Sequence, residues 1–219
     1  MEIKIMKNIL DRNRNKAEEV RNLLASKRIL MVNMISSPGA GKTTLLEHTL
    51  GYLVKRFRIG VIEGDITTDR DGQRLKKFGV PIVVINTEGG CHLDSHSISK
   101  VLDHFDLDNL DVIFVENVGN LICPSQFDLG ETFKLAVVSV TEGDDKPEKY
   151  PMVFREAKAV ILNKTDLMPY TNFNNTDFTT DLKKINGHIK RFDVSCTTGN
   201  GLNYWFEWIS DQVSGRYLK

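Results

Sequence analysis

The sequence predicts an α/β fold built on a doubly wound, mostly parallel sheet and preceded by an amphipathic helix. Short apolar runs, which indicate buried strands, alternate along the chain with segments whose apolar residues recur at helical spacing. Between residues 28 and 46 one such run ends in a turn of small residues that opens directly into a helix. Ligands bind such sheets where the carboxyl ends of the strands meet, so a binding site is expected at that edge.

The first predicted element is the amphipathic helix within residues 1–27, where apolar side chains lie among many charges. Apolar runs then predict seven strands, at residues 29–35, 58–63, 82–85, 112–115, 135–140, 159–162 and 192–195. Helical spacing predicts helices at residues 44–57, 74–78, 101–105 and 205–213. Residues 173–181, which are rich in Asn, Thr and Asp, indicate an exposed insertion. We therefore expect a helical extension over residues 1–27 and one domain over residues 28–219.

Length and charge narrow the class of protein. A chain of 219 residues with 41% hydrophobic and 26% charged residues is typical of one soluble globular domain. The 29 basic and 29 acidic residues cancel, so no basic field favours nucleic acid or an anionic membrane. No apolar segment suggests a signal peptide or a membrane span, and we expect a cytoplasmic protein. Three cysteines argue against a disulfide framework and leave free thiols or metal ligands.

Residues 36–44 resemble the phosphate-binding pattern G-x-x-x-x-G-K-[ST], with Ser36 in the place of the first glycine. Small residues permit the tight turn by which backbone N–H groups converge on the β-phosphate. Lys42 adds a charge between the β- and γ-phosphates, and the hydroxyl of Thr43 can ligate Mg²⁺. An ordinary Gly-rich strand-to-helix turn is the alternative. The residues predicted to contact the nucleotide here are Gly39, Ala40, Gly41, Lys42, Thr43 and Thr44.

A second motif predicts which base is bound. The N-K-x-D pattern occurs at the end of the sixth predicted strand as Asn163, Lys164, Thr165 and Asp166. The carboxylate of Asp166 can accept hydrogen bonds from guanine N1 and N2, and adenine offers no equivalent pair of donors. After the last strand, Ser195 and Cys196 can support the guanine from its other side. Cys196 also reads as a small buried packing residue.

Two further stretches are expected to sense the γ-phosphate. Glu116 ends the fourth predicted strand, where a carboxylate meets Mg²⁺ directly or through water, and Gly119 resembles the switch glycine whose amide touches the γ-phosphate. Asp65 is the candidate for orienting Mg²⁺ or the attacking water, whereas Asp69 and Asp71 fit a solvated loop better. No glutamine stands at the water-positioning place, which predicts slow hydrolysis. The residues predicted to act in hydrolysis are Lys42, Asp65, Glu116 and Gly119.

Thiol and imidazole groups follow two of the predicted strands. Cys91 and His92 come just after the third strand, and Cys123 lies four residues beyond Gly119. These groups bind Zn²⁺, Ni²⁺ or Cu⁺, although their spacing matches no zinc-finger pattern. A lone cysteine is more often a buried apolar residue. Three ligands do not complete a four-coordinate site, which suggests pairing across a two-fold axis; His96 is expected to face solvent.

Six blocks of sequence between Ile35 and Leu167 extend these motifs. They are ISSPGAGKTTLLE, GDITTDRD, CHLD, ENVGNLICPSQFDLGE, TEGDDKPEKYP and NKTDL. Together they resemble the HypB family, the GTPases that incorporate nickel into hydrogenases. The ENVGNLICP block is the most specific, whereas the phosphate-binding loop alone indicates only a nucleotide. Ser36 in place of glycine is similar to what this family shows.

The resemblance implies a P-loop GTPase of the SIMIBI class that dimerises with GTP. It implies delivery of nickel to the large subunit of a [NiFe] hydrogenase, beside a small zinc-binding partner, HypA. Residues 28–219 then form the GTPase domain with inserted metal-site loops. Cys91, His92 and Cys123 correspond to the family's metal site at the dimer interface, with Ni²⁺ or Zn²⁺ as the ion. The N-terminal residues contain no C-x-x-C-x-C and no His-rich tract, so a second nickel site or a storage role is not supported.

Three other readings remain open at this point. A urease-type nickel GTPase shares the nucleotide motifs, but its metal motif is Cys-Pro-His, whereas Cys123 is followed by Pro124 and Ser125. A non-catalytic metal-binding module could use the nucleotide only as a structural prop. A P-loop kinase is disfavoured because the N-K-x-D pattern is typical of guanine recognition and no acceptor-substrate lid is evident.

Overall fold

The computed structural model describes the main chain of residues 2–65 and 70–215 and the side chains of residues 10–64 and 73–215. The strands within these ranges are β1 (Leu30–Ser36), β2 (Ile59–Asp65), β3 (Ile82–Asn86), β4 (Val112–Glu116), β5 (Phe133–Ser139), β6 (Ala157–Asn163) and β7 (Lys190–Asp193). They form one sheet in the order β3-β2-β4-β1-β5-β6-β7, and every neighbouring pair is parallel. The predicted doubly wound α/β fold is confirmed, and each predicted strand overlaps an observed one.

Helices connect the strands on both faces of the sheet. The described helices are α1 (Glu2–Ser26), α2 (Lys42–Leu53), α3 (Arg70–Leu75), α4 (Ser95–Leu102), α5 (Cys123–Gln126), α6 (Lys146–Lys149), α7 (Pro151–Glu156), α8 (Asn175–Ile185) and α9 (Leu202–Ser214). Short 3-10 segments lie at Lys76–Phe78, Leu107–Asn109, Val140–Glu142 and Thr165–Tyr170. Among the helices that the structure describes, none has the length and apolar character that crossing a membrane requires.

Alternating side chains divide the core between the two faces of the sheet. On one face Val32 and Met34 of β1 pack with buried residues of α2 and α9, including the fully buried Trp205. The indole of Trp205 donates a hydrogen bond of 2.9 Å to the hydroxyl of Thr49 in α2. On the other face Met31 packs with residues of α1 and α4. The sheet is therefore buried on both sides, as its continuous apolar strands predict.

Helix α1 is bound to the rest of the chain by buried contacts. Val20 and Leu24 belong to the core on the α4 side of the sheet. The side chain of Asn13, which is 3% exposed, accepts a 2.9 Å hydrogen bond from the backbone N–H of Ser95 at the start of α4. Gly130 has a φ of 83°, and a Cβ atom there would lie 2.5 Å from the carbonyl oxygen of Ala17. The chain after α5 thus approaches α1 too closely for a side chain.

The interpretation of residues 173–181 as an exposed insertion is wrong. Helix α8 occupies most of this segment, and the side chain of Asn174 caps it by accepting hydrogen bonds from two backbone N–H groups. Phe178 and Leu182, four residues apart, are buried in the core beside β6. The Asn, Thr and Asp residues form the cap and the solvent face of an amphipathic helix. The helix predicted at 74–78 is present but begins earlier, since α3 starts at Arg70 and a 3-10 segment continues it to Phe78.

Two adjacent leucines of α1 test how much this helix stabilises the domain. Leu24 is 2% exposed and Leu23 is 41% exposed. Leu24→Ala should lower the free energy of unfolding by about 2–5 kcal/mol, because it empties a packed site. Leu23→Ala is the matched control and should change it by about 1 kcal/mol or less. Urea unfolding measures both values, and equal losses for the two variants would contradict the packing of α1 described here.

Candidate nucleotide and metal site

A cavity of about 490 Å³ opens where the carboxyl ends of β1, β2 and β4 meet the N-terminus of α2. Its lining contains most of the residues predicted to hold phosphates and Mg²⁺. The lining residues are Ser36, Pro38, Gly39, Gly41, Lys42, Thr43, Thr44, Glu63, Gly64, Arg74, Glu116, Asn117, Val118, Gly119 and Lys164. The structure therefore brings the phosphate-binding loop, the end of β4 and the N-K-x-D segment around one space.

The phosphate-binding loop packs closely against the N-K-x-D segment and is hydrogen-bonded to it. Gly41 has a φ of 100°, and a Cβ atom there would lie 2.4 Å from Nδ2 of Asn163. That amide group instead donates a 2.9 Å hydrogen bond to the carbonyl oxygen of Ala40. Lys164, itself at a φ of 60°, donates a 2.7 Å hydrogen bond to the carbonyl oxygen of Gly39. Asn163 and Lys164 thus position the loop.

Oxygen ligands suited to Mg²⁺ meet at the floor of the cavity. The hydroxyl of Thr43 donates a 2.7 Å hydrogen bond to Oε1 of Glu116. Lys42 donates to the hydroxyl of Ser36 at 2.8 Å, and all four side chains are buried. Hydroxyl and carboxylate oxygens are the ligands that Mg²⁺ prefers, so this pair fits the ion. Ser36, the irregular first position of the motif, serves as a buried acceptor for the lysine.

At the N-K-x-D end of the site, Oδ1 of Asp166 is buried and accepts no hydrogen bond from any residue that the structure describes. The backbone N–H of Cys196 donates a 3.2 Å hydrogen bond to Oδ1 of Asn163, which joins the loop after β7 to this segment. Ser195 uses its hydroxyl to accept the N–H of Thr198 at 3.1 Å. A buried acceptor without a donor fits a base that supplies N–H groups, as guanine does.

Cys196 is buried, as the packing interpretation predicts. Burial raises the pKa of its thiol to about 11. The thiol therefore stays protonated at neutral pH, and only a thiolate binds a metal ion strongly.

The other two cysteines lie together with a histidine. One ligand atom from each of Cys91, His92 and Cys123 lies within 4.8 Å of the others. Sγ of Cys91 is 3.4 Å from Nδ1 of His92, and the imidazole stacks on the ring of Phe127 with centroids 3.8 Å apart. Both thiols are half-buried and neither forms a disulfide. His96 is exposed, as expected. The structure thus gathers the three predicted ligands into one cluster.

Protonation of the cluster follows from its surroundings. A hydrogen bond with Cys91, together with burial, raises the pKa of the Cys123 thiol above its ordinary value. Burial lowers the pKa of His92, and the carboxylate of Asp94 opposes this shift. At neutral pH the imidazole is therefore uncharged and able to bind a metal, whereas the Cys123 thiol has to lose a proton first.

The segment after β4 joins the cavity to this cluster. Gly119 packs so closely against the phosphate-binding loop that a Cβ atom there would lie 3.2 Å from Cα of Pro38. Cys123 begins α5 only four residues later. Asp65 ends β2, but its side chain lies outside the described residues, as do Asp69 and the side chain of Asp71. Their predicted roles stay predictions.

Comparison with known proteins assigns the chain to a family. The family model described as the CobW/HypB/UreG nucleotide-binding domain matches residues 30–193. The hydrogenase maturation factor HypB of Escherichia coli K12 is 44% identical over 204 residues, which cover 93% of this chain and 70% of that protein. The chain belongs to the HypB family of hydrogenase maturation factors. The resemblance noted from the sequence blocks is confirmed.

Two solved HypB structures share the fold. The hydrogenase maturation factor HypB of Archaeoglobus fulgidus superposes with a TM-score of 0.87 at 36% identity, covering 93% of this chain and 99% of that one. HypB of Helicobacter pylori, crystallised in complex with nickel, gives the same TM-score and identity and covers 94% of this chain and 97% of that one. The P-loop nucleotide-binding fold is therefore shown for this HypB family member.

Three residues at the cavity were not singled out from the sequence. Glu63 lies in β2 beside Glu116 of β4 and is 2% exposed. The sequence offered one signal for Glu63, which is a charged residue within an otherwise apolar strand. Arg74 donates a hydrogen bond to Thr44 at 3.3 Å and also bonds Glu47, so it holds the first turn of α2. Asn117, which follows β4, is 1% exposed.

Gly41 tests whether the contact with Asn163 shapes the nucleotide site. Gly41→Ala should weaken GDP binding by at least about tenfold, because the new methyl group displaces an amide that positions the loop. Gly79→Ala is the control, since Gly79 also has a positive φ, 67°, but no atom would lie within 4 Å of its new Cβ. Titration with fluorescent GDP measures the two affinities. Equal affinity in both variants would contradict the positioning of the loop by Asn163.

Proposed function

We propose that this HypB family member is a GTP-hydrolysing metallochaperone that delivers nickel during [NiFe] hydrogenase maturation. One observation carries the proposal: Cys123, which completes the cluster with Cys91 and His92, lies four residues beyond Gly119 on the segment that leaves the nucleotide cavity. Its thiol and imidazole ligands suit Ni²⁺ or Zn²⁺. The nickel complex of the Helicobacter pylori relative supports nickel as the cargo.

GTP is the proposed nucleotide. The buried oxygen of Asp166 accepts the N–H donors of guanine, and Lys42 neutralises charge that develops between the β- and γ-phosphates during hydrolysis. Mg²⁺, held by Thr43 and Glu116, supplies further charge neutralisation when bound. Asp65 is the proposed residue for orienting the ion or the attacking water. The backbone N–H of Gly119 binds the γ-phosphate, so this glycine senses the difference between GTP and GDP.

The metal site is proposed to lie at the contact of a homodimer that GTP promotes. Three ligands from one chain leave a four-coordinate site incomplete, and a second copy related by a two-fold axis supplies more. Ile122, next to Cys123, is 54% exposed, and an exposed large apolar side chain favours burial against a partner. A hydrogenase large subunit receives the ion beside a HypA-type zinc-binding partner. We place these events in the cytoplasm.

GTP binding draws Gly119 and its loop toward the γ-phosphate, which moves Cys123 and reshapes the metal site. Hydrolysis relaxes the loop and frees the ion. A ligand shifts such an equilibrium only by its differential affinity for the two states, so nucleotide and nickel must affect each other equally.

Nickel affinity should therefore differ by about fivefold or more between protein bound to GDP and protein bound to a non-hydrolysable GTP analogue. Competition with a chelating dye measures both affinities. Because GTP is proposed to promote a homodimer, the mass of the protein in solution should double when the analogue replaces GDP. Equal nickel affinities would contradict the coupling.

The control for this experiment is Lys42→Ala, which removes the charge partner of the β- and γ-phosphates. It should abolish steady-state phosphate release and make nickel affinity independent of the added nucleotide. A non-catalytic metal-binding module predicts instead that neither protein releases phosphate.

Cys123→Ser should weaken Ni²⁺ and Zn²⁺ binding by at least about tenfold, the loss that even an outer partner of a ligand can cause. GDP affinity should stay unchanged, because the thiol does not line the cavity. Metal binding by the unaltered protein should weaken as the pH falls, since the raised pKa of Cys123 means that a proton must leave.

Cys196→Ser is the matched control, because this third thiol is buried in the loop after β7 and should leave metal affinity intact. Equal metal binding by Cys123→Ser and unaltered protein, measured with the same dye, would remove Cys123 from the site.

A further inference from the structure

One buried amide side chain contacts two loops at once: the loop after β4, which contains Gly119, and the loop after β3, which contains His92. Oδ1 of Asn117 accepts a 2.9 Å hydrogen bond from the backbone N–H of Val118, the residue before Gly119. The same oxygen accepts a 3.2 Å hydrogen bond from the backbone N–H of Leu93, the residue after His92. A single acceptor therefore holds the main chain of both loops next to their proposed ligand-binding residues.

The amide of Asn117 is itself fixed in place. Its backbone N–H donates to the carbonyl oxygen of Met34 in β1 at 3.1 Å. Its Nδ2 group donates to Oδ1 of Asn33, also in β1, at 3.1 Å. These contacts orient the amide so that Oδ1 faces the two loops. Asn33 is fully buried and Asn117 is 1% exposed, so water does not compete for these bonds.

Further buried hydrogen bonds connect Asn33 to α5, the short helix that carries the third proposed metal ligand. Nδ2 of Asn33 donates to Oε1 of Glu131 at 3.2 Å. The ammonium group of Lys134 lies 3.9 Å from the same carboxylate oxygen and donates to the carbonyl oxygen of Ser125 at 2.9 Å. Ser125 belongs to α5, the short helix that Cys123 begins. The buried network thus reaches the segments that carry all three proposed metal ligands.

We propose that Asn117 is a positioning residue that couples the γ-phosphate loop to the metal cluster, with Asn33, Glu131 and Lys134 as its support. When Gly119 turns toward a γ-phosphate, the N–H of Val118 turns with it and its bond to Asn117 changes. Because the same oxygen holds Leu93, that change alters the position of Cys91 and His92. This inference rests on the proposed coupling of nucleotide and nickel binding.

The test compares nickel affinities with GDP and with a non-hydrolysable GTP analogue, in the unaltered protein and in three variants. Asn117→Ala removes the shared acceptor but no metal ligand, so the ratio of the two affinities should fall to within about twofold of one. Asn117→Asp keeps an oxygen acceptor for both N–H groups and should retain part of the ratio. Asn186→Ala is the matched control, since this half-buried asparagine donates to two carbonyl groups of α7 and one at the start of β6, away from both loops, and should keep the full ratio.

A second measurement uses the unaltered protein and does not depend on a variant that folds. Hydrogen exchange of the Leu93 amide should change when the GTP analogue replaces GDP, because its acceptor moves. Two results would overturn the role of Asn117 but leave the proposed coupling intact. One is a ratio of nickel affinities that stays unchanged in Asn117→Ala, and the other is a Leu93 amide that exchanges at the same rate with both nucleotides. A ratio of one in the unaltered protein would overturn the proposed coupling and this inference with it.

Discussion

The parallel pairing of β1 with β4 is the constraint on which both sites depend. Its register sets Met34 opposite Glu116. Because side chains alternate, Glu116 faces the phosphate-binding loop and bonds Thr43, while Asn33 and Asn117 meet on the other face of the sheet. A slip of one residue would exchange the two faces and take the carboxylate away from the hydroxyl. This one register therefore places the carboxylate of Glu116 at the bottom of the nucleotide cavity, on one face of the sheet. On the other face it places the buried pair Asn33 and Asn117, which we call the polar junction, beside the loop after β3.

The polar junction, together with Glu131 and Lys134, costs more free energy on burial than apolar side chains at the same positions would. Burial of an ion costs several kcal/mol, and apolar residues of similar volume often stabilise a core as well or better. Burial raises the pKa of Glu131, although the charge of Lys134 opposes the shift. Asn33 and Asn117 each use both ends of their amide in hydrogen bonds, which selects one arrangement of the strands and loops. This cost is understandable if the arrangement itself is what the proposed switch requires.

Much of the fold was predictable because its signals lie in consecutive residues. Apolar runs predicted every strand that the structure describes, and the phosphate-binding motif predicted the strand-to-helix turn that precedes α2. Helix α8 was missed because its polar composition outweighed Phe178 and Leu182, whose spacing of four residues is helical. The types and positions of Cys91, His92 and Cys123 predicted their meeting at one edge. The contacts of Asn117 were not predictable, since they depend on an N–H group 24 residues earlier that only the folded sheet brings into reach.

The incompleteness of the metal cluster is itself informative about its proposed task. A structural zinc site closes four ligands around the ion and stabilises the fold, whereas a cargo ion has to leave. Cys91 and Cys123 are half-buried, so an acceptor can reach them, and the raised pKa of Cys123 favours return of a proton when the ion departs. In the proposed dimer each copy holds only part of the ligand set. Retention of nickel then depends on the contact between the copies as well as on the loop after β4, and the ion is released when that loop relaxes and the two surfaces separate.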